Sequence, residues 1–490
     1  MKTTRETTRC RSLDRRDFLF TTGGGFGGLA LSAMLSRERL YGAEAATARA
    51  LPRADLNGGI HHKAKIKRVI QLFMNGGASP MDLFDPKPQL DKLHGQQFDP
   101  GAGQLVESVT GSPGFKVLKS PFEFKQHGNS GRWVSSVFPH TAKKVDDLTF
   151  LMSMVSKSNV HGLASYMMNT GFTLPGFPCM GAWVSYALGT IRDELPAFVV
   201  MPDPRGLPYN NQGNFTSGFL PVQYTGTIIK TNAKHPISDL LPPAEAKFIS
   251  QASENDGREL LRQINRAHLA ANPGDTRLDA RISSYELAAK MQLSVPELFD
   301  LTKETEATRN LYGVDEKHTD DFGRRCLLAR RMIERGVRFV QVWSGAGGPT
   351  GNWDNHGNIS TELPPRALET DQPVAALLED LKARGLLEDT LVIWTTEFGR
   401  MPFSQGSAGR DHNGGTFVTW LAGGGLKPGV AFGQSDEWAW KAINPIYCYD
   451  LHATVLHLLG IDHEKLSFRH NGIDRRLTDV HGHVIKEVLA

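Results

Sequence analysis

Between Val374 and Asn413 the chain passes through a helical repeat, a wholly apolar run and a polar loop, and this succession narrows the choice of folds more than any other stretch. Val374, Leu377, Leu378 and Leu381 recur at i, i+3, i+4 and i+7 with Glu379, Asp380 and Lys382 between them. That is the pattern of an amphipathic helix, with Pro373 as its start and Gly385 as its end. After a short turn comes the run Thr390–Thr395, nearly all apolar or β-branched, as a parallel strand covered on both faces requires. The strand runs out into Thr396-Glu397-Phe398-Gly399-Arg400. Ligands of open α/β sheets sit beyond the carboxyl ends of strands, so Glu397 is a candidate site residue. Arg410-Asp411-His412-Asn413 follows as a second polar cluster.

The same punctuation recurs along the chain. Strands are expected at 68–74, 148–155, 196–202 and 337–343, with helices at 162–170 and from an Asp450 N-cap to Gly460. Three of these strands also deliver polar groups. The first breaks at Asn75-Gly76-Gly77 and leads to Asp82, the second leads to Asn159 and His161, and the fourth leads to Trp353-Asp354-Asn355-His356. The Pro-, Gly- and Asn-rich loop after residue 202 shows no chemistry, and His452 and His457, five apart, do not share a helix face. Alternating strands and helices make the fold α/β, with a mainly parallel central sheet and helices on both faces. Residues 66–490 form its domain, with a helical insertion around 256–335.

The N-terminus departs from the average composition. Arg15-Arg16-Asp17-Phe18-Leu19 precedes a Gly-rich apolar segment too short to span a bilayer, and small residues follow it, which is the layout of a twin-arginine export signal over 1–45. Residues 46–65 then read as a linker. Cleavage near Ala43 removes a net charge of roughly +4, so the +3 of the full chain becomes about −1. No long basic run remains, which argues against a nucleic-acid partner, and no integral membrane segment remains either. Cys179, Cys326 and Cys448 are an odd, widely spaced set, better read as small buried apolar residues than as a disulfide framework.

Four strand ends that carry carboxylates and imidazoles point to a divalent metal ion: zinc, manganese or iron for a mixed nitrogen and oxygen site, calcium or magnesium for a purely oxygen one. The expected ligands are Asp354, His356, Glu397 and His412 around one centre, with Asp82 and His161 as further candidates. Arg400 or Arg410 is placed to hold an anion through a bidentate fork.

The stretch Leu377–Gly399 resembles the helix and strand of the sulfatase and alkaline phosphatase superfamily that end in a metal-binding Asp-His-Gly, with Glu397-Phe398-Gly399 in that place. Thr170-Gly171 resembles the close of its nucleophile helix, and Asp450–Gly460 its last helix. The twin-arginine start, G-G-A-S-P-M-D-L-F-D-P-K-P, W-D-N-H, T-E-F-G-R, G-R-D-H-N and R-L-T-D-V-H-G-H-V-I together resemble the exported family called domain of unknown function 1501. The resemblance implies an alkaline phosphatase-like fold and an exported metal-dependent hydrolase of phosphate or sulfate esters, acting on a small-molecule or polysaccharide ester. One departure bears on mechanism: ten residues before Gly171, where sulfatases carry the Cys or Ser that matures to an aldehyde hydrate, stands His161. Three roles are open to it: nucleophile, metal ligand or oxyanion donor. Ligand is favoured, since that strand otherwise supplies no nitrogen. Loss of the usual nucleophile also implies an alternative, a catalytically degenerate envelope binding or assembly protein that keeps the fold.

Overall fold

Apolar runs alternating with helical repeats build a nine-stranded sheet in the computed structural model. The structure describes residues 60–101, 104–106, 115–191, 195–231, 237, 251–272, 278, 282, 285–286, 297–405 and 408–490. The expected export signal at 1–45 and most of the expected linker at 46–65 lie outside the described residues. The strands are β1 (Arg68–Met74), β2 (Leu148–Val155), β3 (Phe198–Met201), β4 (Thr227–Ile228), β5 (Phe339–Ser344) and β6 (Thr390–Thr395). A hairpin of β7 (Gly399–Ser404) and β8 (Arg410–Asn413) stands outside the sheet, which is completed by β9 (Phe417–Gly423), β10 (Ala431–Phe432) and β11 (Ile446–Tyr447). The sheet order is β10-β2-β9-β6-β1-β5-β3-β4, with β11 also on β2. All its pairings are parallel except those of β9, which opposes both β2 and β6. The sheet is therefore mixed but mostly parallel.

Alternation along β1 explains the two layers. Ile70, Leu72 and Met74 point into one core with helices α4 (Asp320–Glu334) and α5 (Ile359–Ala383). Val69 and Phe73 point into the other with α2 (Met180–Leu188) and α6 (Cys448–Leu458). Helix α1 (His161–Thr170) closes on Gly171 in the left-handed conformation, where glycine meets no Cβ penalty. Cys179, Cys326 and Cys448 are free and buried, as their spacing suggested. Helix α3 (Gln251–Ala271) belongs to a separate compact unit that includes 243–273, whereas α4 lies in the core of the main unit. No helix among the described residues is long and apolar enough to cross a membrane.

Two helix starts differ from the expectation. Helix α5 begins at Ile359, well before Pro373, because the Asn358 side chain accepts from the Ser360 N–H, and Pro364, Pro365 and Pro373 all lie inside the helix. A proline there removes one N–H, which costs the helix one bond rather than its existence when the flanking face is buried. Asp371, in the same helix, accepts from the backbone N–H groups of His140 and Thr141, each at 2.7 Å. Asp450 is not the N-cap of α6 but its third residue, and its carboxylate accepts from the N–H of Tyr447 at 2.8 Å.

Candidate metal centre

The carboxyl ends of β1, β2, β5 and β6 face one edge, and the loops beyond them carry the polar clusters. Gly76 and Gly77, after β1, both hold positive φ (121° and 73°) and allow a close approach. A Cβ on Gly76 would lie 2.6 Å from the backbone nitrogen of Asp354, and one on Gly77 would lie 2.6 Å from the ring of Phe398. Gly76 therefore lets the loop after β5 lie directly on the end of β1, and Gly77 does the same for Phe398, which follows β6.

Three imidazoles and one carboxylate converge there. Ligand atoms of His161, Asp354, His356 and His412 all lie within 4.8 Å of one another. The Nε2 of His412 is 3.0 Å from that of His161 and 2.8 Å from that of His356. Asp354 Oδ1 is 2.7 Å from His356 Nε2 and 3.1 Å from His412 Nε2, and its Oδ2 is 3.2 Å from His161 Nε2. His161 is the first residue of α1, and His412 lies in β8 opposite Arg400.

The opposite ring nitrogens fix what these atoms are. His161 Nδ1 meets Glu397 Oε1 at 2.6 Å, His412 Nδ1 meets the carbonyl of Asn159 at 2.7 Å, and His356 Nδ1 meets Gln405 Oε1. Each of these oxygens accepts, so each Nδ1 donates and each Nε2 carries a lone pair. Three lone pairs and a carboxylate then face one another across hydrogen-bond distances. Only a proton or a cation relieves that arrangement, and the donor set fits a metal ion.

Glu397 therefore stands behind His161 instead of beside the other ligands. Its Oε1 also accepts from the Gly76 N–H at 2.8 Å, and its Oε2 lies 3.1 Å from the Thr396 hydroxyl, which also meets the Met74 carbonyl at 2.7 Å, so the carboxylate serves to orient the His161 ring. Asp82 is elsewhere: its Oδ2 accepts from Arg410 Nε at 2.6 Å and from Ser79 Oγ at 2.5 Å, with both charged side chains wholly buried. Among the described residues the converging group therefore includes neither Glu397 nor Asp82, the one standing behind His161 and the other paired with Arg410. The two arginines expected at an anion are both engaged within the protein. Arg410 is held by Asp82, and Arg400, 0% exposed, donates to the carbonyls of Gly76, Gly77 and Arg410 and to Asp354 Oδ1 at 2.6 Å. Neither guanidinium has a fork free for an anion. Arg400 positions Asp354 instead.

Burial pushes the carboxyl of Asp354 up, but the Arg400 guanidinium and the three imidazoles more than offset it and hold Asp354 far below the carboxylate range. His161 is pushed down by burial and up by Asp354 and Glu397, with a net rise, whereas burial leaves His412 lowered. A protonated His161 competes with a cation for Nε2. Metal affinity is accordingly expected to rise with pH until His161 has lost that proton, with a midpoint above the ordinary ~6.5 and release of about one proton per ion bound. Calorimetric titration of zinc in buffers of different ionisation enthalpy measures this, and a pH-independent affinity would contradict it.

Tyr209 completes the site, although the loop that carries it showed no chemistry in the sequence. Its ring stacks on His161 with centroids 4.3 Å apart, and its hydroxyl lies 2.9 Å from the carbonyl of Gly348 and 3.4 Å from Asp354 Oδ2. Burial and the two carboxylates keep it a phenol. The available signal was positional: the loop leaves the carboxyl end of β3. Phe398 forms a floor, 4.7 Å from the His161 ring and 4.8 Å from that of His412, while Trp353 turns away into the core. The centre opens to solvent at His356, whose side chain is 29% exposed.

A family model described as protein of unknown function (DUF1501) matches residues 66–489. The chain belongs to this family. Among curated proteins none matches it. Solved structures similar to this DUF1501 chain include Ps i-CgsB in complex with a neocarrahexaose, at 10% identity and TM-score 0.36, covering 81% of this chain and 72% of that one. The lipoteichoic acid synthase LtaP from Listeria monocytogenes is similar at 10% identity and TM-score 0.32, covering 83% and 77%. Alkaline phosphatase from the Antarctic bacterium TAB5 is similar at 10% identity and TM-score 0.30, covering 81% and 98%. At these scores the likenesses carry nothing about chemistry.

Proposed function

We propose that this chain is an exported metal-dependent hydrolase of phosphate or sulfate esters. One observation carries the reading: three imidazole Nε2 atoms and Asp354 converge with every Nδ1 already donating. Three nitrogens and one carboxylate suit zinc or manganese, and they argue against calcium, which takes about six to eight oxygen ligands. Bound there, such an ion supplies Lewis acidity and lowers the pKa of water toward ~7. The chain's own residues do the rest. Glu397, Asn159 and Gln405 fix the imidazoles, Arg400 fixes Asp354, and Phe398 excludes water from beneath the rings. Tyr209 stacks on His161, and its neutral hydroxyl, donating to the Gly348 carbonyl, braces the loop beside Asp354.

A panel of aryl phosphate and sulfate esters, assayed with zinc or manganese and after chelation, tests the reaction. Metal-dependent turnover of at least one ester class is expected. Metal retention without any turnover would favour the second reading, a binding protein of the envelope, which the occupied forks of Arg400 and Arg410 support. Export rests on Arg15 and Arg16. The variant Arg15→Lys with Arg16→Lys is expected to stay in the cytoplasm at precursor length, and unchanged export of it would overturn that part.

A further inference from the structure

Beside the metal centre lies a cavity of about 590 Å³ that contains none of the four converging residues. Its size falls within the ~300–1,000 Å³ of small-molecule sites. Asn159 belongs to both places, since it lines the cavity while its carbonyl holds His412. Among the described residues the other polar walls are Ser156, Lys157, Ser158, Asn413, Lys441 and Tyr447, and none of them is an acid. Among the described residues neither lysine has a carboxylate within 4.0 Å. Lys157 Nζ donates to the Tyr449 hydroxyl at 3.2 Å, and Lys441 Nζ donates to Gln104 Oε1 at 2.5 Å. Two ammonium groups held only by neutral partners keep their attraction for an anion.

The neutral groups point to what carries that anion. Ser156 Oγ and Ser158 Oγ each accept from a backbone N–H, which leaves their hydroxyl protons to donate. Asn159 Oδ1 accepts from the N–H of Gly414, which leaves its amide N–H groups. The groups left over are donors, which match the hydroxyl and ring oxygens of a sugar. Of the two aromatic walls, Trp440 is 6% exposed with Lys441 Nζ 4.1 Å from its ring, while Tyr447 is 37% exposed and offers its face to a sugar ring or a base, which comparison with an oligonucleotide separates.

We propose that this cavity binds a sugar bearing a sulfate or phosphate monoester, with Lys157 and Lys441 reading its charge. The proposal deepens the hydrolase reading, on which it rests for calling that sugar the substrate. Binding itself needs no metal. Calorimetry on the mature chain, repeated on His356→Ala, compares glucose 6-sulfate and glucose 6-phosphate with glucose, inorganic sulfate and a short single-stranded oligonucleotide. Both anionic sugars are expected to bind at least tenfold more tightly than glucose or sulfate alone, with and without the metal ligand. The double variant Lys157→Ala, Lys441→Ala, at exposed positions, is expected to lose at least tenfold with its melting temperature unchanged. Failure of both sugars to bind, equal binding of glucose or of sulfate, tighter binding of the oligonucleotide, or indifference to the double variant would each overturn the proposal. Absence of ester turnover with sugar binding intact would count against the hydrolase reading alone.

Discussion

His356→Ala is expected to lose retained metal almost completely while the fold persists. His356 is the most exposed of the four converging side chains, at 29% against 9–10% for the others, and its Nδ1 partner Gln405 is also partly exposed. Removing it therefore opens little of the core. Outer partners of metal ligands commonly matter by about 10–100-fold in affinity, so loss of a direct donor is expected to exceed ~100-fold. Glu397→Gln provides the internal comparison. It keeps the shape behind His161 but weakens the acceptor at Nδ1, and it belongs in the lower range. Competition titration against a chelator measures both, and equal affinities for His356→Ala and the parent chain would refute the assignment.

Asp82→Ala is expected to be the most destabilising single substitution at this edge of the sheet, by about 3–5 kcal/mol. Asp82 and Arg410 are wholly buried, and the carboxylate neutralises a guanidinium whose remaining contact at Nη1 is the carbonyl of Met401 at 3.3 Å. Truncating the acid strands that charge in the core. The effect should reach the metal centre too, because Arg410 begins the strand that carries His412 and its N–H donates to the carbonyl of Asn355. Urea denaturation measures the loss, and a change under about 1 kcal/mol would show that the pair is not the structural anchor described.

The strands were legible because each is a short apolar run closed by glycine or polar residues; 68–74, 148–155 and 390–395 match the structure residue for residue. The strand-end rule then located Asp354, His356 and His412, since a parallel sheet sends its loops to one edge whatever their sequence. What lay beyond the sequence was which group stands in front and which behind. Asp82, Glu397 and Arg400 are as polar as the converging residues, and only the positive φ of Gly76 and Gly77 and the path of the β7–β8 hairpin turn them toward other partners. Tyr209 was hidden for the same reason: its loop has no repeat or motif, and its role comes from stacking on a residue 48 positions away. Helix α5 starts well before Pro373 because the residue that caps it, Asn358, lies upstream of three prolines that the helix absorbs.

The central claim is that His161, Asp354, His356 and His412 hold one ion. Elemental analysis combined with X-ray absorption at the metal edge, on protein purified without chelator, tests it most directly. The account predicts about one zinc or manganese per chain and a first shell dominated by imidazole nitrogen at about 2.0–2.2 Å. Less than about a tenth of an ion per chain even after reconstitution, or a shell of oxygen without imidazole, would contradict it.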